Sequence, residues 1–200
     1  IIRYKYVMRA TVKSKKYRDT LTAARELFWK HGFRRVTIQE ICEKAGVSKM
    51  TFYKYFPNKV ELAKSVFAYE VEKGMNRFSQ LLEKNISGEE MLKEMIRLKA
   101  EGTNDISHEF MEDFYLDNEP ELKIFVEEKS KEAWTRLING WRKAQEKGVF
   151  RKDFKPEFLF SVAMKIQELL KDEELAAMYD STQEFILEFT RFIAYGISKR

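Results

Sequence analysis

The sequence is poor in the residues that build crosslinks, chain breaks and metal sites: one cysteine, two histidines, three prolines and eight glycines in 200 residues. Each scarcity excludes something. A lone Cys42 cannot close an intramolecular disulfide, which points to a reducing compartment and a cytoplasmic protein. The segment HEFME at 108–112 has the outline of a zinc-protease helix, but Glu112 stands where the second histidine belongs, so no metal is expected. No apolar run approaches the roughly 18 residues of a membrane span. The opening IIRYKYVM is interrupted by Arg3 and Lys5, unlike a signal peptide, and Met8 is a candidate start with residues 1–7 upstream of it. No glycine-rich phosphate loop, GxSxG or paired catalytic constellation occurs. Neither a cofactor nor an enzymatic activity is expected.

What is present is helix. With 44% hydrophobic residues the chain can bury a real core. Strand-like alternation is missing, and glycines fall at segment ends. Helix starts are marked by an oxygen-bearing cap with glutamate three residues on: Thr37 with Glu40, Asn58 with Glu61, Ser87 with Glu90, and Ser181 with Glu184. The pattern predicts an all-α fold of about nine helices, near 16–31, 37–45, 48–55, 58–84, 87–101, 105–117, 121–147, 156–171 and 181–197.

Charge divides unevenly along the chain. Residues 1–59 hold 15 Lys and Arg against 4 Asp and Glu, a surplus of +11, while the remainder carries −6 of the net +5. A basic head on an acidic body is the electrostatic footprint of a nucleic-acid-binding protein. In the head, Tyr17, Leu21, Ala24 and Phe28 form one apolar stripe, and Gly32 ends the helix. Ile38, Ile41, Cys42 and Ala45 face inward in the second helix, and Gly46 permits a sharp turn. Phe52 and Phe56 anchor the third, which leaves Ser48, Lys49, Met50, Thr51, Tyr53, Lys54 and Tyr55 open to a partner. This is a helix-turn-helix, whose second helix enters the major groove of double-stranded DNA. Lysine ammonium groups and hydroxyls suit phosphates, lysine reaches guanine, and a threonine methyl meets a thymine methyl. Lys59 lies at the positive end of the next helix.

Over residues 17–62 the chain resembles the TetR family of transcriptional regulators. The residues that carry the likeness are Gly-Phe at 32–33, Thr37, Ala-Gly-Val-Ser at 45–48, Tyr-x-Tyr-Phe at 53–56 and Lys59. Cys42 stands where alanine is common, and Met50 where a small residue or proline is common. The resemblance implies that Thr37 and Tyr55 hold phosphates, that Lys59 anchors the fourth helix on the DNA backbone, and that Gln39, Lys49, Thr51 and Tyr53 approach bases. It also implies an effector site surrounded by helices four to eight.

The division expected is a DNA-binding domain with an N-terminal arm over 1–57 and a helical effector-binding and dimerisation domain over 58–200. Candidate pocket residues are Phe67, Val71, Met75, Phe78, Phe110, Phe114, Trp134 and Ile138, bulky and adaptable enough to line an apolar cavity. Core filling is the competing use of the same side chains. The last two helices are apolar on more than one face, which suits burial on both their own chain and a twofold copy. Phe158, Val162, Ile166, Phe185, Phe189 and Phe192 are the candidate homodimer seam. Glu109, Glu112 and Asp113 read as a solvated face, the other use being a carboxylate turned into an apolar cavity, which would favour a cationic effector. The function expected is a ligand-responsive repressor that binds a palindromic operator as a homodimer and is released by a small, largely apolar effector. The alternative is an all-helical carrier or enzyme with no DNA role.

Overall fold

A computed structural model describes residues 14–116, 119–169 and 172–198, apart from the side chains of 116, 166–168 and 173. The proposed N-terminal arm through residue 13, with Met8, and the side chain of Ile166 lie outside the described residues. The elements are α1 (Lys15–His31), α2 (Ile38–Ala45), α3 (Lys49–Tyr55), α4 (Lys59–Glu83), α5 (Gly88–Gly102), α6 (His108–Met111) with a π-helical turn at Glu112–Leu116, α7 (Pro120–Glu146), α8 (Pro156–Leu169), α9 (Glu173–Ala176) and α10 (Thr182–Ile197).

All four expected caps form. Thr37 and Glu40 make a reciprocal capping box, Asn58 Oδ1 accepts the Glu61 N–H at 2.8 Å, and Ser87 and Ser181 accept those of Glu90 and Glu184, both at 3.1 Å. The helix expected over 105–117 is shorter. Asp105 takes φ 59, in the left-handed region, and Ser107 caps the helix that follows. The short α9 was not legible in the apolar pattern; Asp172 caps it by accepting the Leu175 N–H at 3.0 Å.

The chain divides into two compact units, one running to Glu72 with Asp105–Ser130 added, the other Lys73–Asn104 with Lys131–Arg200. The boundary expected at residue 58 is the start of α4 and not the edge of a packing unit. Phe110 and Phe114 explain why 105–130 joins the first unit. Phe110 lies 4.2 Å from Trp29 and stacks on Phe114 at 4.4 Å, and Phe114 meets Phe28, Phe33 and Phe67 at 6.1–6.3 Å. Burying each such ring contributes about 2 kcal/mol. The stripe Tyr17, Leu21, Ala24 and Phe28 is buried as expected, together with Ile41, Cys42, Phe52 and Phe56. Lys64, buried on α4, is held by Glu61 at 2.9 Å and by Glu121 of α7.

The second unit packs Leu81, Met91, Leu92, Trp141, Ala144, Phe150, Leu159, Ala194 and Ile197 into its core. Gln183 of α10 donates to the Ala100 carbonyl of α5 at 2.7 Å. Of the expected seam, Phe185 is only 8% exposed and meets Tyr179 edge-on at 5.2 Å, so it belongs to the chain's own core. Val162 and Phe189 are half-buried, whereas Phe158 and Phe192 are 66% and 71% exposed.

Gly32 shows where the first unit tolerates no side chain. At φ 76, a Cβ there would fall 2.5 Å from Asp113 Oδ2 and 3.0 Å from Glu109 Cβ. Gly148 has φ 71 and nothing within 4 Å. Gly32→Ala is expected to lower unfolding free energy by about 2 to 4 kcal/mol through strain and collision. Gly148→Ala should cost only the conformational term of about 1 kcal/mol. Urea titrations of the two variants compare them directly, and equal losses would show that the Asp113 contact is not rigid.

Candidate nucleic-acid interface

The turn between α2 and α3 follows from three residues. Gly46 at φ 63 donates to Glu43 at 3.2 Å while Val47 donates to Cys42 at 3.0 Å, the two bonds of a Schellman cap. Ser48 then starts α3 by accepting the Thr51 N–H at 3.2 Å. With Phe52 and Phe56 buried, Ser48, Lys49, Met50, Tyr53 and Lys54 are exposed, and Thr51 and Tyr55 are half-buried. Gln39 is exposed on α2, its amide donating to Glu43 Oε1 at 2.6 Å. Lys49 and Lys54 project with no ion pair among the described residues, in contrast to Lys44, which pairs with Glu26 at 2.9 Å.

Three expected phosphate ligands have structural duties. The Thr37 hydroxyl donates to Glu40 Oε2 at 2.7 Å and accepts the Glu40 N–H. These bonds to Thr37 hold the Glu40 carboxyl below its usual pKa. The Tyr55 hydroxyl hydrogen-bonds with that of Ser14, and its ring stands edge-on to Tyr17 at 5.7 Å, which ties the end of α3 to the start of α1.

Lys59 is the clearest departure from expectation. Its ammonium donates to the carbonyls of Phe33, Arg34 and Val36 at 2.8, 3.3 and 2.9 Å and lies 4.3 Å from the Phe33 ring centre. Its three protons are directed at the turn between α1 and α2, so the side chain braces the head from within. Burial pulls its pKa below the usual lysine range, with Asp113 acting against the shift. Asp113, expected on a solvated face, is only 8% exposed. Its carboxylate accepts the Arg34 backbone N–H at 2.9 Å and Nε at 2.7 Å. Glu109 and Glu112 are exposed as expected. No local sequence signal marks Asp113 as the residue that holds the turn.

The pocket residues separate by environment. Phe67, Phe110 and Phe114 are at most 3% exposed and fill the first unit's core, and Val71, Trp134 and Ile138 are half-buried. Met75 and Phe78 line a cleft of about 320 Å³ in the second unit, with Leu82, Met91 and Val149 on its apolar side and Arg136, Lys143 and Lys147 among its polar residues. Cys42 is buried, and desolvation raises its thiol pKa, the opposite of a reactive thiolate.

Residues 21–66 match the family model described as "Bacterial regulatory proteins, tetR family". The chain is 36% identical over 97 residues to the uncharacterized HTH-type transcriptional regulator YerO of Bacillus subtilis, covering 47% of this chain and 33% of that one. Over residues 21–66 the chain is thus similar to the TetR family of bacterial regulatory proteins. The match spans about a third of the length of YerO. Among solved structures, the fatty acid degradation regulator FadR from Bacillus halodurans superposes with a TM-score of 0.68 at 19% identity, over 94% of this chain and 99% of that one. FadR from Bacillus subtilis, solved in complex with stearoyl-CoA, superposes at 0.64 and 18% identity, over 90% and 99%. These likenesses establish a shared fold.

The contrast between Lys49 and Lys59 yields a test. Lys59→Met should lower stability by about 2 to 3 kcal/mol, as charged hydrogen bonds to the turn are lost, and weaken DNA binding without changing its salt dependence. Lys49→Ala should leave stability unchanged and, if its ammonium meets a phosphate, flatten the log–log salt slope by about one per half-site. A Lys59→Met slope that flattens like that of Lys49→Ala would return Lys59 to the DNA backbone.

Proposed function

We propose that the protein is a homodimeric repressor that binds a palindromic operator and is released by an effector. The observation that carries the DNA half is the exposed face of α3, where Lys49, Tyr53 and Lys54 stand free of the core on a capped helix that follows a tight turn. Two such helices related by a twofold axis meet half-sites about one helical turn apart. Control then follows from a shift between arrangements of the two heads, only one of which fits both half-sites.

The exposed aromatic face of the last helices supports the dimer. Phe158 on α8 and Phe192 and Tyr195 on α10 are 66–71% exposed, an apolar surface that a twofold copy would cover. The effector reading rests on the cleft beside Met75 and Phe78. An apolar floor with three cations against one carboxylate, Glu83, among its lining suits an amphiphile with a hydrocarbon body and an anionic head. The FadR structure that holds stearoyl-CoA is a neighbour in fold with a ligand of that chemistry.

Fluorescence anisotropy with duplex DNA tests the whole reading. Affinity should fall by about a thousandfold as salt rises from about 50 to 200 mM, and stearoyl-CoA should displace the operator while CoA alone does not. Salt-insensitive or absent binding would favour the alternative, an all-helical carrier or enzyme with no DNA role. Displacement by neither compound would remove the amphiphile and leave the DNA half standing. For the dimer, Phe192→Glu introduces a charge at a site already exposed, so the protomer should fold normally while light scattering reports a monomer. An unaltered dimer would move the seam off α10.

A further inference from the structure

On α3, Met50 is the residue that neither the fold nor phosphate chemistry explains. It is 82% exposed, above every other large apolar side chain among the described residues. Phe52 is buried on the opposite side of the same helix, and the C-cap Phe56 is buried with it, so Met50 is not needed to hold α3 in place. Its thioether has no proton to donate and accepts only weakly, so it cannot position the helix on phosphates as Lys49 or Tyr53 can. It is the second residue of α3, directly after Lys49, with Tyr53 and Lys54 exposed further along the helix. That cationic and hydroxyl-bearing surround suits a polyanion rather than an apolar protein partner.

Residues at the N-terminal end of a recognition helix reach base edges. In the major groove, the apolar feature that those edges present is the thymine 5-methyl group. Resting on the DNA-binding reading above, we infer that Met50 is a specificity residue that requires thymine at one position of each half-site by packing its side chain on that methyl. Lysine and tyrosine neighbours position the helix, and Met50 supplies discrimination by excluding water. No hydrogen bond is involved, so the preference depends on the methyl alone and not on the carbonyl edge that thymine shares with uracil.

The test removes that methyl. Duplexes are selected from a randomised pool by the full chain, and each dT of the enriched operator is replaced in turn by dU, which leaves every hydrogen-bonding group in place. At one thymine per half-site the replacement should weaken wild-type binding about fourfold, the value of one buried methyl. Met50→Ala should bind the dT operator less tightly and be indifferent to dU at that same position. Because Met50 is exposed, the variant should melt like wild type. An operator whose thymines can all become dU without loss, or equal dU sensitivity in wild type and Met50→Ala, would overturn the inference while leaving DNA binding intact. A pool that yields no enriched sequence and no salt-steep binding would defeat the DNA-binding reading, and the inference with it.

Discussion

Between α1 and α2 the chain runs through residues 33–36, outside both helices, and the polar groups of that turn must be answered from elsewhere. Two side chains of opposite charge answer them. Lys59 takes the carbonyls of Phe33, Arg34 and Val36, and Asp113 takes the N–H of Arg34 together with its guanidinium. Each ion meets the backbone groups that suit its sign, and Asp113 works against the burial of Lys59 by favouring its charged form. The turn fixes how α2 leaves α1, and α3 follows α2 within three residues. The direction of α3 therefore depends on this pair, although neither residue belongs to it.

The same division between holding and contacting runs through the head. Thr37, Ser48 and Tyr55 offer hydroxyls, yet each has a structural bond: a capping box, a helix start and a tie to Ser14. Once such bonds are assigned, the side chains with no internal task are few. Lys49, Met50 and Lys54 remain, with Tyr53 exposed beside them although its ring meets Phe52 edge-on at 5.3 Å, and they share one short helix. A helix whose core needs are met by Phe52 and Phe56 presents the rest outward. That is why the exposed face of α3 can be read by subtraction.

What the sequence made legible was local. The four N-caps, one of them a full capping box, the Gly46 turn and the Tyr17 stripe depend on residues a few positions apart, and all form as expected. Asp113 was misread because its partner Arg34 lies 79 residues away, and a carboxylate among Glu109 and Glu112 carries no mark that distinguishes it. Lys59 reaches carbonyls 23 to 26 residues back, so its position suggested a phosphate ligand where the fold had a prior use for it. Phe110 and Phe114 could not be sorted by type, since the rings that line a cavity are the rings that fill a core. In α10 the presence of two apolar faces was legible. Which face was inner was not, and Phe185 and Phe192 took opposite sides.

On the proposed repressor reading, the separation of bracing from contact has a consequence for control. Phosphate contacts set the slope of affinity against salt, because that slope counts displaced counterions. The brace sets how well those contacts can be made together, which shifts affinity at every salt concentration by the same factor. An effector that acts by loosening residues 33–36 would lower operator affinity while leaving the slope intact. One that competes for Lys49 or Lys54 would flatten it. Asp113 bears on this choice because it sits on the π-helical turn at Glu112–Leu116, so whatever displaces that turn acts on residues 33–36 through Arg34. Such a displacement would leave the exposed side chains of α3 in place while removing one of the two ions that hold the turn.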